Sequence, residues 1–430
     1  MTYQQAVFYV EQTQFARRRC GIERLKEILA QMGNPQQKGN WIHVAGTNGK
    51  GSCCAMTASI LSKAGYRVGL YTSPHLERYN ERIKVNGENI SDEDFIEQIE
   101  AVKQVCDKMG EAPIVFEVLT LAALRYFAQK RCDFVVLEVG IGGRLDATNV
   151  IPAPKAAVIA QLGLDHTETL GNTIEEIARE KGGIIKAGTP VILAKQSEEA
   201  TEEIRKICSQ THSELRIASP ERFMIQKESI NGFSLTDSEY GELFLPLAGR
   251  HQLCNAANVL ETISCLKRQG YRISNQAVQE GLLHTRWAAR FERLSVSPDF
   301  ILDGGHNPQC VGAAVESLKR YYPRQKAVFI VGMMQDKDTG QMLEQLLELA
   351  KQFICIEPDS QRAMTAEQMT GFLQEKGAQA QSCKTAEQAI ALAIRSAGKD
   401  GLVCALGSLY LAGEIRGIFE KNSGENFSKM

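Results

Sequence analysis

A chain of 430 residues, 43% hydrophobic and 23% charged, can bury substantial cores and is expected to form two or three domains. Its net charge of −2 excludes a strongly basic surface for nucleic acid or membrane, and neither a signal region nor an apolar run of spanning length occurs. The twelve cysteines are scattered without a C-x-x-C pair, which argues against a zinc site or disulfide framework and for a reducing, cytoplasmic location.

Val7, Val10, Phe15, Ile22, Leu25 and Leu29 recur at helical spacing over residues 3–31, with Arg17-Arg18-Arg19 as a solvated helix end. Trp41 to Ala45 then reads as a buried strand. Gly46, Gly49 and Gly51 break that pattern, and helical spacing resumes from Cys53 to Ala64. Strand, glycine-rich turn and helix make a phosphate-binding loop. Glycines let backbone N–H groups approach an anion, and the helix start adds unpaired donors and the positive end of a dipole. In this reading Lys50 reaches the β- and γ-phosphates, and the hydroxyl of Ser52 or Thr47 is a ligand for Mg²⁺. The spacing departs from G-x-x-x-x-G-K-[ST], because Gly51 separates Lys50 from Ser52.

A second strand, Tyr66 to Tyr71, ends in Thr72-Ser73-Pro74-His75, which puts Ser73 at a carboxyl end, where open α/β sheets bind ligands. A hairpin around Asn86-Gly87 and helices over 92–109, capped by Ser91, and 116–130 follow. The hydrophobic strand Asp133 to Val139 carries Glu138 near its end. A carboxylate there is costly without a partner, and beside a nucleotide loop it points to a bound cation. The strand 156–162 ends before Asp165 and His166; a helix over 173–181 and a strand over 191–194 come next. This alternation implies a parallel, doubly wound sheet.

Residues 215–247 read as a small β-rich insertion, and helices return over 252–268 and 275–283. Strands over 300–303, 327–332, 353–357 and 402–406 then build a C-terminal Rossmann-like α/β domain. The expected division is an ATP-binding domain over 1–294 and a second domain over 295–430.

Taken together, His43 to Ser52, Thr72 to Leu76, Glu138 to Asn149, Leu164 to His166, Glu180 to Lys186 and Asp303-Gly-Gly-His-Asn-Pro308 resemble the folylpolyglutamate synthase/dihydrofolate synthase family. That family belongs with the ATP-dependent amide-forming ligases that include the cell-wall Mur ligases. The resemblance implies that Gly46, Thr47, Asn48, Gly49, Lys50, Gly51 and Ser52 hold ATP, with Asn255, Arg290, Asp303 and His306 as further nucleotide contacts. It implies two Mg²⁺ sites, with Ser52, Ser73 and Glu138 at the first and His166 at the second. It also implies that Lys181 is carbamylated beside the metals, and that Phe116 and Asp146 lie in the folate pocket. The expected substrates are L-glutamate with a folate or dihydropteroate, and the expected state is a monomer without nucleic-acid or membrane partners. Three departures stand out: Ala288-Ala289 precede Arg290 where the family usually has Pro-Gly, Asp303-Gly-Gly replaces Asp-Gly-Ala, and Lys181-Gly replaces Lys-Ala.

Overall fold

The computed structural model describes residues 1–13 and 20–422, so Phe15, Arg17-Arg18-Arg19 and the polar tail from 423 lie outside the described residues. The first helical pattern resolves into two helices, Tyr3–Gln12 and Ile22–Gln31. Their apolar residues Val10, Leu25, Ile28 and Leu29 are buried with Phe95, Ile99 and Val102 of the helix Asp92–Met109.

Eight strands make the first sheet: β1 Asn40–Ala45, β2 Val68–Tyr71, β3 Ile83–Val85, β4 Glu88–Asn89, β5 Phe134–Glu138, β6 Ala156–Ile159, β7 Val191–Ala194 and β8 Leu215–Ala218. Their order is β4-β3-β2-β5-β1-β6-β7-β8. Six pair in parallel; β3 and β4 form the expected hairpin, with β3 antiparallel to β2. The first strand is therefore central. The chain leaves β1 toward β2 and β5 on one side, then returns to lay β6 to β8 on the other. This reversal opens a crevice at the carboxyl ends of β1 and its neighbours, and Gly46 leads straight into it. Helices cover both faces, with Lys50–Lys63 and His251–Arg268 sharing one core and Asp92–Met109 and Val115–Gln129 another.

The insertion is smaller than the sequence suggests. Leu215–Ala218 is the last parallel strand of the main sheet, not part of it. As an edge strand with only Ala218 fully buried, it has the mixed polarity of the hairpins that follow. The insertion proper is the antiparallel sheet β11-β10-β9, built from β9 Phe223–Ser229, β10 Gly232–Asp237 and β11 Gly241–Leu245.

A third sheet, in the order β12-β13-β17-β14-β15-β16, comprises β12 Glu292–Val296, β13 Asp299–Leu302, β14 Ala327–Val331, β15 Ala350–Ile356, β16 Ala380–Cys383 and β17 Leu402–Leu406. All neighbours are parallel except β12 with β13. The sheet thus starts at Glu292, inside the segment expected to end the first domain. The polar edge strand β16 carries no buried residue and is silent in the sequence.

Between the helix Asn275–Leu283 and β12 the chain bends at Ala289 and Phe291, whose φ angles are +53° and +50°. Ala289 fills a place where the left-handed backbone favours glycine, costing about 1–2 kcal/mol. Its side chain is fully buried, and one buried methyl offsets about 0.8 kcal/mol of that. Ala289→Gly is therefore expected to stabilise the protein slightly, by less than about 1 kcal/mol, read as a raised denaturant midpoint.

Candidate active site

One cavity of about 650 Å³ lies where the carboxyl ends of the first and third sheets face each other, and all seventeen residues singled out from the sequence line it. The phosphate loop forms its floor. A Cβ on Gly46 would stand 2.8 Å from Ala160 Cβ, so only glycine lets the loop leave β1 against β6. Gly49 takes φ +82°, and a Cβ there would meet Asn255 Oδ1 at 2.2 Å; Asn255 reaches the loop by packing into that space. The helix Lys50–Lys63 starts at Gly49 with no side-chain cap, leaving its first N–H groups toward the cavity. Lys50 Nζ folds back onto the carbonyls of Gly46 and Thr47 at 3.0 and 3.1 Å. The Thr47 hydroxyl donates to Gly163 O at 2.9 Å and accepts from Gly163 N–H at 3.1 Å. Ser52 is buried, and no hydrogen bond engages its hydroxyl among the described residues.

Above the loop, Glu138 ends β5 and accepts from Ser73 N–H at 2.9 Å, which ties it to the end of β2. Burial raises its carboxyl above the ordinary range, and the nearby Lys50 charge only partly offsets this. Lys181, at the end of the helix Ile174–Gly182, donates to Gly46 O at 2.9 Å. Burial, reinforced by Lys50, pulls its ammonium down to about 7. A buried acid and a buried amine, both disfavoured as ions, thus flank the loop. His166 lies exposed at the cavity wall with φ +51°, next to Asp165.

The third sheet supplies the opposite wall. Asp303, just past β13, accepts from Phe291 N–H at 2.8 Å and Gly305 N–H at 2.7 Å. It thereby fixes the turn that carries Arg290 and His306. Burial raises the Asp303 carboxyl against the pull of Arg290, and burial lowers His306 to about 4. Asp146 accepts from the N–H groups of Gly140, Ile141 and Thr148 and from the Thr148 hydroxyl, which also meets His43 Nε2 at 2.8 Å. It therefore holds the shape of the glycine-rich loop after β5. Phe116 packs over Gly140, where a Cβ would fall 2.7 Å from its ring.

Three lining residues lie outside the set that the sequence predicts. Arg82 hydrogen-bonds His75 Nδ1 at 2.9 Å, and Lys337 pairs with Asp165 at 2.6 Å across the two sheets, with side chains only 11% and 10% exposed. Burial opposes ionisation of Asp165, but Lys337 overcomes it and holds the carboxyl at about 2. Gln309 is the third. Lys337 follows shortly after β14, so the rule that ligands gather at strand ends would have found it; no comparable signal marks Arg82. Among the described residues, no three His, Cys, Asp or Glu side chains cluster as an all-protein metal cage.

Two Mur ligase sequence profiles match the chain, the middle domain over residues 44–263 and the glutamate ligase domain over residues 289–409. The chain belongs to the Mur ligase family. Within it, the relatives that match nearly end to end are folate enzymes. The dihydrofolate synthase/folylpolyglutamate synthase of Bacillus subtilis is 33% identical, covering 92% of this chain and 94% of its own. That of Escherichia coli is 31% identical, covering 93% and 91%. Among solved structures, E. coli FolC in complex with DHPP and ADP superposes with a TM-score of 0.87 at 29% identity over 98% of this chain and 99% of the other. A Mycobacterium tuberculosis folylpolyglutamate synthase complexed with ADP gives 0.88 at 27% identity over 97% and 99%.

The depressed Lys181 makes a pH prediction. Between its folded value near 7 and the ordinary 10.5, the unfolded chain holds more protons at this position, so the stability contributed here rises with pH across that window and is flat below it. Lys181→Met cannot titrate. The stability of wild type relative to this variant should climb from pH 7 toward pH 10.5 in urea unfolding at a series of pH values. A difference independent of pH contradicts the depressed value.

Proposed function

We infer that this chain is an ATP-dependent acid–amino-acid ligase that joins L-glutamate to folates, with dihydropteroate as a further acceptor. The observation that carries the reading is the single cavity in which a phosphate loop, a buried acid–amine pair and residues of the glutamate ligase domain converge. Both walls come from one chain, which supports action as a monomer. No helix among the described residues is long and apolar enough to cross a membrane, and all twelve cysteines are free, which fits a reducing cytoplasm.

The chemistry follows from charge. A carboxylate is a poor electrophile, and the triphosphate repels it. The loop N–H groups and Lys50 hold the phosphates in place and draw off negative charge. Phosphate passes from ATP to the substrate carboxylate, giving an acyl phosphate and ADP. The glutamate amine attacks the acyl carbon, and phosphate leaves through a tetrahedral intermediate. Closing the cavity between the two sheets keeps water from that acyl phosphate.

The donor set fits Mg²⁺: a buried carboxylate with no ion pair, Glu138, beside the free Ser52 hydroxyl and Ser73. Because the Thr47 hydroxyl is engaged by Gly163, Ser52 is the better ligand of the two weighed from the sequence. Bound there, the metal would screen the phosphate charge as a Lewis acid. His166 would serve a second ion. Lys181 as an amine is no ligand for a hard cation, but with its value near 7 the neutral form is at hand to take up CO₂. The resulting carbamate offers a hard oxygen.

Incubation with ATP, Mg²⁺, L-glutamate and either tetrahydrofolate or dihydropteroate, followed by mass, tests the function. A glutamyl increment on both acceptors is expected. An increment on tetrahydrofolate alone removes the second activity, and ATP consumption without any increment overturns the reading. Glu138→Gln should lower ATP turnover by at least about a hundredfold, the scale of losing one preorganised electrostatic group, with the thermal midpoint unchanged. Retained turnover removes Glu138 from the mechanism.

A further inference from the structure

Resting on the ligase reading above, we propose that Asn307 is a positioning residue for the reaction: through Asn48 it carries the approach of the C-terminal domain to the phosphate loop. The loop is pinned to its own domain at every point but one. The N–H groups of Thr47 and Asn48 donate to Gln161 O at 2.8 and 3.1 Å, the Thr47 hydroxyl is held by Gly163, and Gly49 is backed by Asn255. The Asn48 side chain alone turns the other way. Its Oδ1 accepts from Asn307 Nδ2 at 3.0 Å and from Cys310 Sγ at 3.1 Å, and its Nδ2 donates to Gln309 Oε1 at 2.9 Å. Among the described residues its amide bonds only to the other domain.

All three partners sit at the start of the helix Pro308–Tyr321, for which Asn307 is the N-cap, its Oδ1 accepting from Cys310 N–H at 2.9 Å. The amide of Asn307 is thus divided between two tasks. Its oxygen caps the helix of one domain, and its nitrogen reaches the loop of the other. That nitrogen also comes within 3.3 Å of Asp165 Oδ2, the carboxylate paired with Lys337. Asn307 itself is 2% exposed, so its end of these bonds is buried, while Asn48 and Asp165 are half-buried.

The fit extends to the backbone. A Cβ on Gly163 would stand 2.0 Å from Gln309 Oε1, so glycine at the end of β6 makes room for the side chain that crosses from the other domain. When the domains part, the Asn48 end of the loop loses every side-chain partner, while its backbone anchors remain. The loop that must aim the γ-phosphate is complete only in the closed form. The loop N–H groups and Lys50 keep their own-domain anchors when this one contact is lost. The pair is therefore expected to act on turnover and to leave binding nearly untouched.

Asn307→Ser tests this, because serine caps a helix about as well as asparagine but is too short to donate to Asn48. Loss of the Nδ2 donor, whose shorter bond is the one to Asn48, predicts a fall in kcat for glutamate ligation of about tenfold, with the dissociation constant of ADP within about threefold of wild type. Asn48→Ala breaks the bond to Asn307 together with those to Gln309 and Cys310, so combining it with Asn307→Ser should cost less than the product of the two single losses. An unchanged kcat, a loss seen in ADP binding instead of kcat, or losses that multiply in the double variant each overturn the proposal. Should Asn307→Ser lower the thermal midpoint, Gln309→Ala, at an exposed position of the same contact, must show the same split between kcat and ADP binding at a smaller size. Wild-type protein that fails to ligate glutamate in the same assay overturns the ligase reading instead.

Discussion

The close approach of Gly46 to Ala160 sets the geometry on which the rest of the molecule depends. Strand β1 lies between β5 and β6, and a chain leaving its carboxyl end must clear both neighbours. With no Cβ in the way, the loop runs low across the end of β6, where Gln161 O receives two of its N–H groups and Gly163 receives the Thr47 hydroxyl. The helix then starts with uncapped donors toward the crevice. Lys181 reaches Gly46 O, and Asn255 fits against Gly49, because the loop lies this low. A phosphate cradle, a buried amine and the seat for a second domain follow from one glycine–alanine contact between adjacent strands.

Burial does the electrostatic preparation. Glu138 and Lys181 sit too deep to be comfortable as ions, and the charges near them offset burial only in part. Polar groups left in that condition mark places where a ligand completes the structure. Asp165 and Lys337 show the contrast. They pair directly, the carboxyl stays ionised near 2, and the contact joins the domains. Groups left without an ion-pair partner thus flank the glycine-rich loop, and a paired couple lies at the seam.

Much of the site was legible because its residues sit at strand ends in glycine-rich runs. The loop after β1, Ser73 after β2, Glu138 at the end of β5 and Asp303 after β13 could each be placed by reading where a hydrophobic strand stops. What stayed hidden was long-range. Leu215–Ala218 reads like a hairpin strand because an edge strand is half solvated, and Ala380–Cys383 has too few apolar residues to register at all. The bonds of Asn48 to residues about 260 positions later depend on how two domains meet, which no local pattern encodes. The alanine before Arg290 is visible in the sequence as a departure, but its meaning, a left-handed residue at the turn into the third sheet, lies in the backbone.

Activation of a carboxylate inside this cavity is the step on which the proposed ligase chemistry depends. The most direct measurement follows oxygen: tetrahydrofolate carrying ¹⁸O in its terminal carboxylate is converted with ATP and L-glutamate, and the released phosphate is analysed by mass. Transfer of one labelled oxygen to phosphate is the predicted result, because the oxygen that bonds phosphorus leaves with it when the amine attacks carbon. Amide formed with unlabelled phosphate would contradict an acyl phosphate and the role assigned to the cavity.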